Sequence, residues 1–440
     1  MPKANRPLRD GAAKSLRAEV SAKAFSSISD RLRSVASGKF WASQRPAVAI
    51  VFGISGVLFP LFVFNSPGTT DYSDWLRWLE ILRDHGWVKG YEQIVAMYPP
   101  LGQGLLWAAS LLGNLFDTSP FAGIKLVILI SGYLSTALFW LWRKSASIPL
   151  CILWITSGVM LGYLDVLFVP ALFLALWSME RGRYANCGLF YAIACFIKWQ
   201  PLILGPFLFV YACKRKAALA FLVPIACISV GFYIVFGRTM ISDLTLGFEQ
   251  NLLSGNALNL PLLIDGVLRH FSFARIGGCQ PQSPWDWQCL TRESAIGIYL
   301  LKAAFVGAYS CVLVSFIRRE SSFGGCLRAS LIGILAYFAI SPGVHENHLF
   351  LGAVVALVYA QECQEERSVC FFVIAMAILN PILFYGLDGN GLPGLKVPHD
   401  GSITLPVILL AALAALVTAM TGRSILAYAF GAERAAAKKL

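Results

Sequence analysis

Apolar runs recur along almost the whole chain, and they constrain its fold more than any other feature. They fall near residues 47–64, 121–142, 147–161, 163–180, 184–199, 200–213, 217–236, 295–317, 328–342, 348–361, 368–386 and 403–421. A helix that crosses a bilayer needs about 20 such residues. Of the 440 residues 57% are apolar and only 14% charged, or about 250 apolar positions, which excludes an ordinary soluble domain. Lipid offers no water to satisfy free peptide groups, so the runs are expected to be helices. The expected fold class is an all-α polytopic membrane protein with about 12 transmembrane helices.

The net charge of +12 has two readings, nucleic-acid binding or basic cytoplasmic loops, and the positions of the charges choose between them. The first 46 residues carry ten basic positions (Lys3, Arg6, Arg9, Lys14, Arg17, Lys23, Arg31, Arg33, Lys39, Arg45) against three acidic ones (Asp10, Glu19, Asp30). Residues 1–46 are read as a basic cytoplasmic tail, and the run from Ala47 as a retained anchor too deep in the chain for a cleavable signal. A further apolar stretch, Tyr98 to Phe116, cannot be a span without putting Arg143, Lys144, Arg181, Arg183 and Lys214 to Lys216 outside. It is expected to lie on the outer surface. The membrane domain then covers 47–421, with 422–440 a cytoplasmic C-terminal tail and both termini inside. Basic residues divide 25 inside and 11 outside, acidic residues 9 and 15, giving +16 inside and −4 outside. The excess is a topology signal and implies no nucleic acid.

Two external segments are long, about 65–119 and 237–294. In the first, Trp75, Trp78, Leu79 and Leu82 recur at helical spacing, with Arg77, Glu80 and Asp84 on the other side, the pattern of an amphipathic helix in the membrane interface. The second holds Cys279 and Cys289, which an oxidising compartment could pair. No metal spacing, phosphate-cradling Gly loop or Ser/His/Asp signature occurs, and the internal repeats of many transporters are not evident.

Three acidic residues fall on the outer face: Asp71 in TTDYSDWLRWL, Asp165 in MLGYLDVLF, and Glu346 between His345 and His348 in SPGVHENHLFL. Each has a structural reading: Asp71 and Asp165 can cap helices, and the histidines can be water-bonded interface residues. A His pair at i and i+3 could bind a metal but lacks a further recognisable ligand. The chemical reading is a carboxylate acting as general base on a hydroxyl, with a cation stabilising a phosphate leaving group. Cation candidates are Arg77, Arg83, Lys89, Lys198, Arg269, Arg275 and His345. Lys198, in AIACFIKWQPL, is a lone lysine at the outer end of an apolar run, where a lysine either snorkels or functions.

These segments together resemble the GT-C superfamily, integral membrane glycosyltransferases that use polyprenyl-phosphate-linked sugars. TTDYSDWLRWL followed by YPPLGQG (Tyr98 to Gly104) is similar to the first lumenal loop of the dolichyl-phosphate-glucose-dependent glucosyltransferases and their bacterial relatives. GVHENHLFL, IKWQPLILGP and SGNALNLPLL (Ser254 to Leu263) resemble further segments of that family. The resemblance spans about residues 69–351 and implies a GT-C fold with juxtamembrane helices in the first external loop. It implies inverting transfer of a hexose from a polyprenyl-phosphate donor to a lipid-linked or glycolipid acceptor at the periplasmic or lumenal face. Asp71 would be the general base. His345 and Lys198 would lie near the phosphate, and Glu346 and Asp165 in the sugar or acceptor pocket, with Tyr98, Arg77, Arg269 and His348 as further substrate contacts. No cofactor or metal is required by that scheme. The bacterial-type motifs favour an inner membrane with the site facing the periplasm. Two other classes fit a polytopic chain: a secondary transporter, with its charges near the midplane, and a lipid-linked polysaccharide polymerase or ligase, dependent on Arg and His in a late loop.

Overall fold

The computed structural model describes residues 58–69, 71–94, 97–145, 147–248, 253–270, 292–319, 322–387, 389 and 405–437. The basic tail, most of the first apolar run, and the segment with Cys279 and Cys289 lie outside the described residues. Among the described residues the chain is helix joined by short turns, with no strand beyond an isolated backbone bridge of Gly255 and Asn256 to His345. Six helices are long and apolar enough to cross a membrane: Pro120–Arg143, Ala218–Gly247, Ile296–Arg318, Phe323–Ile340, Arg367–Tyr385 and Ile408–Ala429. The protein is an all-α polytopic membrane protein.

Four of the other apolar runs are broken or cut short. The stretch 147–161 forms helix Ile148–Trp154 and then a π turn, Ile155–Met160. The run 163–180 opens with a 3-10 turn, Leu164–Phe168, before helix Val169–Glu180. Helix Tyr184–Ile197 ends at Lys198, and a 3-10 turn, Gln200–Leu204, leads into Gly205–Lys214. At about 1.5 Å per residue, helices this short fall below the ~30 Å of a hydrocarbon core. Two boundaries also move. Ala218–Phe248 continues past 236 through a left-handed kink at Gly237 (φ 59°), and Leu405–Ala437 continues well beyond 421.

Local chemistry sets the helix ends. Ser119 accepts from Ala122 N at 3.2 Å ahead of Pro120, Ser147 does the same for Leu150 N at 3.2 Å, and Ser322 for Gly325 N at 2.9 Å. Such caps satisfy N–H groups that the first turn leaves free. Helix Phe323–Ile340 is central and mostly buried, whereas Ala218–Gly247 is mostly exposed on the outside of the bundle. The latter presents Leu219, Val223, Val230 and Ile234 outward, as a lipid-facing helix does.

We label Tyr72–Gln93 α1, Pro100–Leu115 α2 and Pro120–Arg143 α3. The α1 stripe of Trp75, Trp78, Leu79 and Leu82 is buried, with Arg77, Glu80 and Asp84 exposed. Its partner, however, is the chain's own core, because Trp75 and Trp78 pack edge-on against Tyr98 at 5.2 and 5.5 Å. At sixteen residues α2 is shorter than a span. It is held by two close backbone approaches. A Cβ on Gly102 would lie 2.4 Å from Ile197 O, and one on Gly123 of α3 would lie 2.2 Å from Ala109 O. Small residues allow such contacts between helices. Gly102 thereby seats the Tyr98 turn directly against the helix end that carries Lys198.

Candidate active site

The chain around Leu161 organises the site. Thr69 N donates to Leu161 O at 3.0 Å, which fixes the loop leading to Asp71. Tyr72 packs edge-on to Phe121 of α3 at 4.3 Å. Asp71 stands at the N-cap position of α1, yet its side chain makes no capping hydrogen bond. Capping is therefore not its role. Four residues past Leu161, Asp165 is fully buried, and it sits inside the 3-10 turn after Tyr163, not at its cap.

A buried charge needs partners, and Asp165 has two. Lys198 Nζ lies 3.4 Å from Asp165 Oδ2, and Asn347 Nδ2 donates to the same oxygen at 2.9 Å. Lys198 also donates to Tyr98 OH at 2.6 Å. The lysine is buried at its helix end, which rules out snorkelling to water. Through Tyr98 the pair reaches Trp75 and Trp78 of α1, so the segments at 69–79, 98–104, 163–168 and 198 meet in one place.

The fifth segment of this junction is the His-Glu segment. Glu346 N donates to Gly255 O at 3.1 Å and Gly255 N to Val344 O at 3.2 Å. Asn380 ties both sides, donating through Nδ2 to Glu346 O at 2.7 Å and accepting from Leu258 N at 3.0 Å. A Cβ on Gly255 would stand 2.8 Å from Val344 O, so only glycine allows this pairing. The Glu346 side chain accepts a hydrogen bond from Tyr163 OH. His348 bonds through Nδ1 to Tyr337 OH at 3.0 Å and stacks on that ring.

Burial changes the charge states. It pushes the Glu346 carboxyl up to about 8, opposed by the Tyr163 hydrogen bond and reinforced by the nearby charge of Asp71. The Asp71 carboxyl is pushed up to about 6, mainly by burial, with Lys198 pulling it down and Asp74 and Asp165 raising it further. His345 is pushed down to about 4 by burial and then by Lys198. At neutral pH Asp71 is therefore mostly a carboxylate, Glu346 mostly carries its proton, and His345 is an uncharged ring. Burial thus works against the expected role of His345 as a cation for phosphate, and favours a neutral N–H donor.

Asp71, Tyr98, Asp165, Lys198, His345, Glu346 and His348 are thus gathered at one junction. Arg77 is not. It lies on the exposed face of α1, paired to Asp74 at 3.3 Å, for the same reason of helical spacing that buries Trp75 and Trp78. Arg269 belongs to helix Leu260–His270, and its side chain lies outside the described residues. Tyr163, Asn347, Asn380 and Tyr337 are additions that the sequence did not single out; all are uncharged and sit in or beside apolar runs. Among the described residues no three His, Cys, Asp or Glu side chains group as a metal site. Asp165 Oδ1, Asn347 Oδ1 and Glu346 Oε2 are buried and bond to no protein group. Such atoms suit the hydroxyl groups of a polar ligand.

No protein-family model matches the chain, and no curated protein matches it.

The Asp165–Lys198 pair makes a direct prediction. Asp165→Asn or Lys198→Met alone leaves an uncompensated buried charge and should destabilise by about 3–5 kcal/mol. The double variant should recover at least about 1 kcal/mol of the summed loss, measured by equilibrium unfolding in detergent. Strictly additive losses would contradict the pairing.

Proposed function

We propose that the protein is a GT-C-type membrane glycosyltransferase. It moves a hexose from a polyprenyl-phosphate donor to a lipid-linked or glycolipid acceptor, at the periplasmic face of a bacterial inner membrane. The observation that carries this reading is the convergence of Asp71, Asp165, Lys198 and Glu346, from four distant segments, with Asp71 free of any capping bond. The segments of Asp71, Lys198 and Glu346 are among those whose sequences resemble that superfamily. A relay for transport would want its charges near the middle of long helices. Here they occupy turns and helix ends.

In the reaction, Asp71 removes the proton of the acceptor hydroxyl as that oxygen attacks the anomeric carbon from the side opposite the phosphate. The new carbon–oxygen bond forms as the bond to the phosphate oxygen breaks, and polyprenyl phosphate leaves with the electron pair. The anomeric configuration inverts. Lys198 uses two of its three N–H donors on Tyr98 and Asp165, and directs the third toward the leaving phosphate. Asp165 Oδ1 and Asn347 Oδ1 accept from sugar hydroxyls, while the protonated Glu346, steadied by Tyr163, donates to another. Desolvation around these groups strengthens each contact.

Asp71→Asn should abolish transfer, with expression and donor binding close to wild type; retained turnover would remove the assignment. The pH profile of kcat/KM reports the same groups. Asp71 must be ionised, so activity should rise with pH through about 6, and Glu346 must keep its proton, so activity should fall above about 8. Glu346→Gln, which keeps an N–H donor, should lose the alkaline limb and retain far more activity than Glu346→Ala.

A further inference from the structure

Lys125 is a fully buried lysine about five residues into α3, an apolar helix of membrane-spanning length. An ammonium there is expensive unless bonded, and its complete burial excludes snorkelling. Among the described residues, none of its hydrogen bonds goes to a residue of the proposed reaction. Its bonds go instead to backbone: Nζ donates to Val159 O and, at 3.4 Å, to Met160 O, and it lies 4.8 Å from the centre of the Phe121 ring.

Those two carbonyls stand where the chain changes from the π turn to the irregular stretch that carries Tyr163 and Asp165. Every buried carbonyl there requires a donor. Thr156 O, Ser157 O and Gly158 O are satisfied by Leu161 N at 3.2 Å, Tyr163 N at 3.0 Å and Gly162 N at 2.8 Å. Leu161 O takes Thr69 N, and Val166 O takes Ser131 Oγ of α3 at 3.0 Å. Val159 O and Met160 O are the carbonyls in this sequence that Lys125 serves. Gly162 (φ 77°) then turns the chain, and Gly68 (φ 79°) fits beneath Leu161 O, where a Cβ would approach to 2.9 Å. Phe121, one turn before Lys125, supports Tyr72 beside Asp71.

The geometry points to Lys125 as a positioning residue, one that locks the Val159–Asp165 turn to α3 and so sets the spacing between Asp71 on one side and Asp165 and Tyr163 on the other. It acts through the backbone and touches no reacting group. Its kinetic consequences rest on the glycosyltransferase reading; its structural role does not.

The test is Lys125→Met in the full-length protein, with two readouts. Hydrogen–deuterium exchange should accelerate at least about 10-fold in the stretches 66–75 and 159–168, and stay at wild-type rates in Phe323–Ile340 and Leu349–Glu362. Against a polyprenyl-phosphate hexose, kcat should fall about 100-fold with donor KM within about threefold, since a displacement of about 1 Å harms the transition state more than binding. If Lys125→Met yields no folded protein, Lys125→Gln, with two N–H donors on a shorter stem, reads the same quantities at smaller amplitude. Unchanged exchange in the two stretches, or acceleration spread evenly through the protein, overturns the inference. A wild-type protein that transfers no hexose ends the glycosyltransferase reading, and the exchange pattern then still decides the role of Lys125.

Discussion

A carboxylate and an ammonium buried together at one end of an apolar bundle set the terms for the surrounding structure. Asp165 and Lys198 lie 3.4 Å apart, and a buried pair of charges needs further hydrogen bonds to support it. Tyr98 and Asn347 supply them. Tyr98 in turn needs the Tyr-Pro-Pro turn held in place, which the α1 tryptophans and the close approach at Gly102 provide. Asn347 needs the His-Glu segment, which is tied by Gly255 and Asn380. One pair of charges thereby explains why segments from five parts of the chain converge.

A second constraint is the backbone itself. Each break in the apolar runs frees carbonyls and N–H groups that lipid cannot satisfy. The chain meets this with side chains: Lys125 and Ser131 of α3 at the 159–166 stretch, and Asn259 at the start of helix Leu260–His270, where it accepts from Leu262 N at 3.1 Å and donates to Phe338 O at 3.0 Å. Polar residues in the bundle therefore divide into two groups. Some complete broken backbone, and others, such as Asp71, Asp165 and Glu346, keep atoms for something else.

Much of this division was legible from residue type and position. The apolar runs, the buried stripe of α1 and the exposed side of Arg77 all follow from periodicity, and Asp71, Asp165, Lys198 and Glu346 stand out as scarce charges near the ends of apolar runs. The helix breaks were harder to see, because a π turn at Ile155–Met160 has no compositional mark. Tyr163, Asn347 and Asn380 were missed because uncharged groups in apolar surroundings look like ordinary packing until their partners are known. Lys125 was missed because a lone lysine near the start of a span reads as a membrane-entrance residue. The neutral state of His345 depends on burial, which only the packed structure reveals. Arg77 qualifies as a candidate by charge alone, although its place opposite Trp75 and Trp78 already sets it apart from the site.

The proposed reaction moves a hexose from lipid phosphate with inversion. The most direct measurement is a single-turnover reaction of the purified protein with a panel of radiolabelled polyprenyl-phosphate hexoses and a lipid acceptor, the anomeric configuration of donor and product being compared by NMR. Label is expected to pass from one donor to the acceptor, with release of polyprenyl phosphate and the opposite anomeric configuration. Transfer with retention, or no transfer from any donor in the panel, would contradict it.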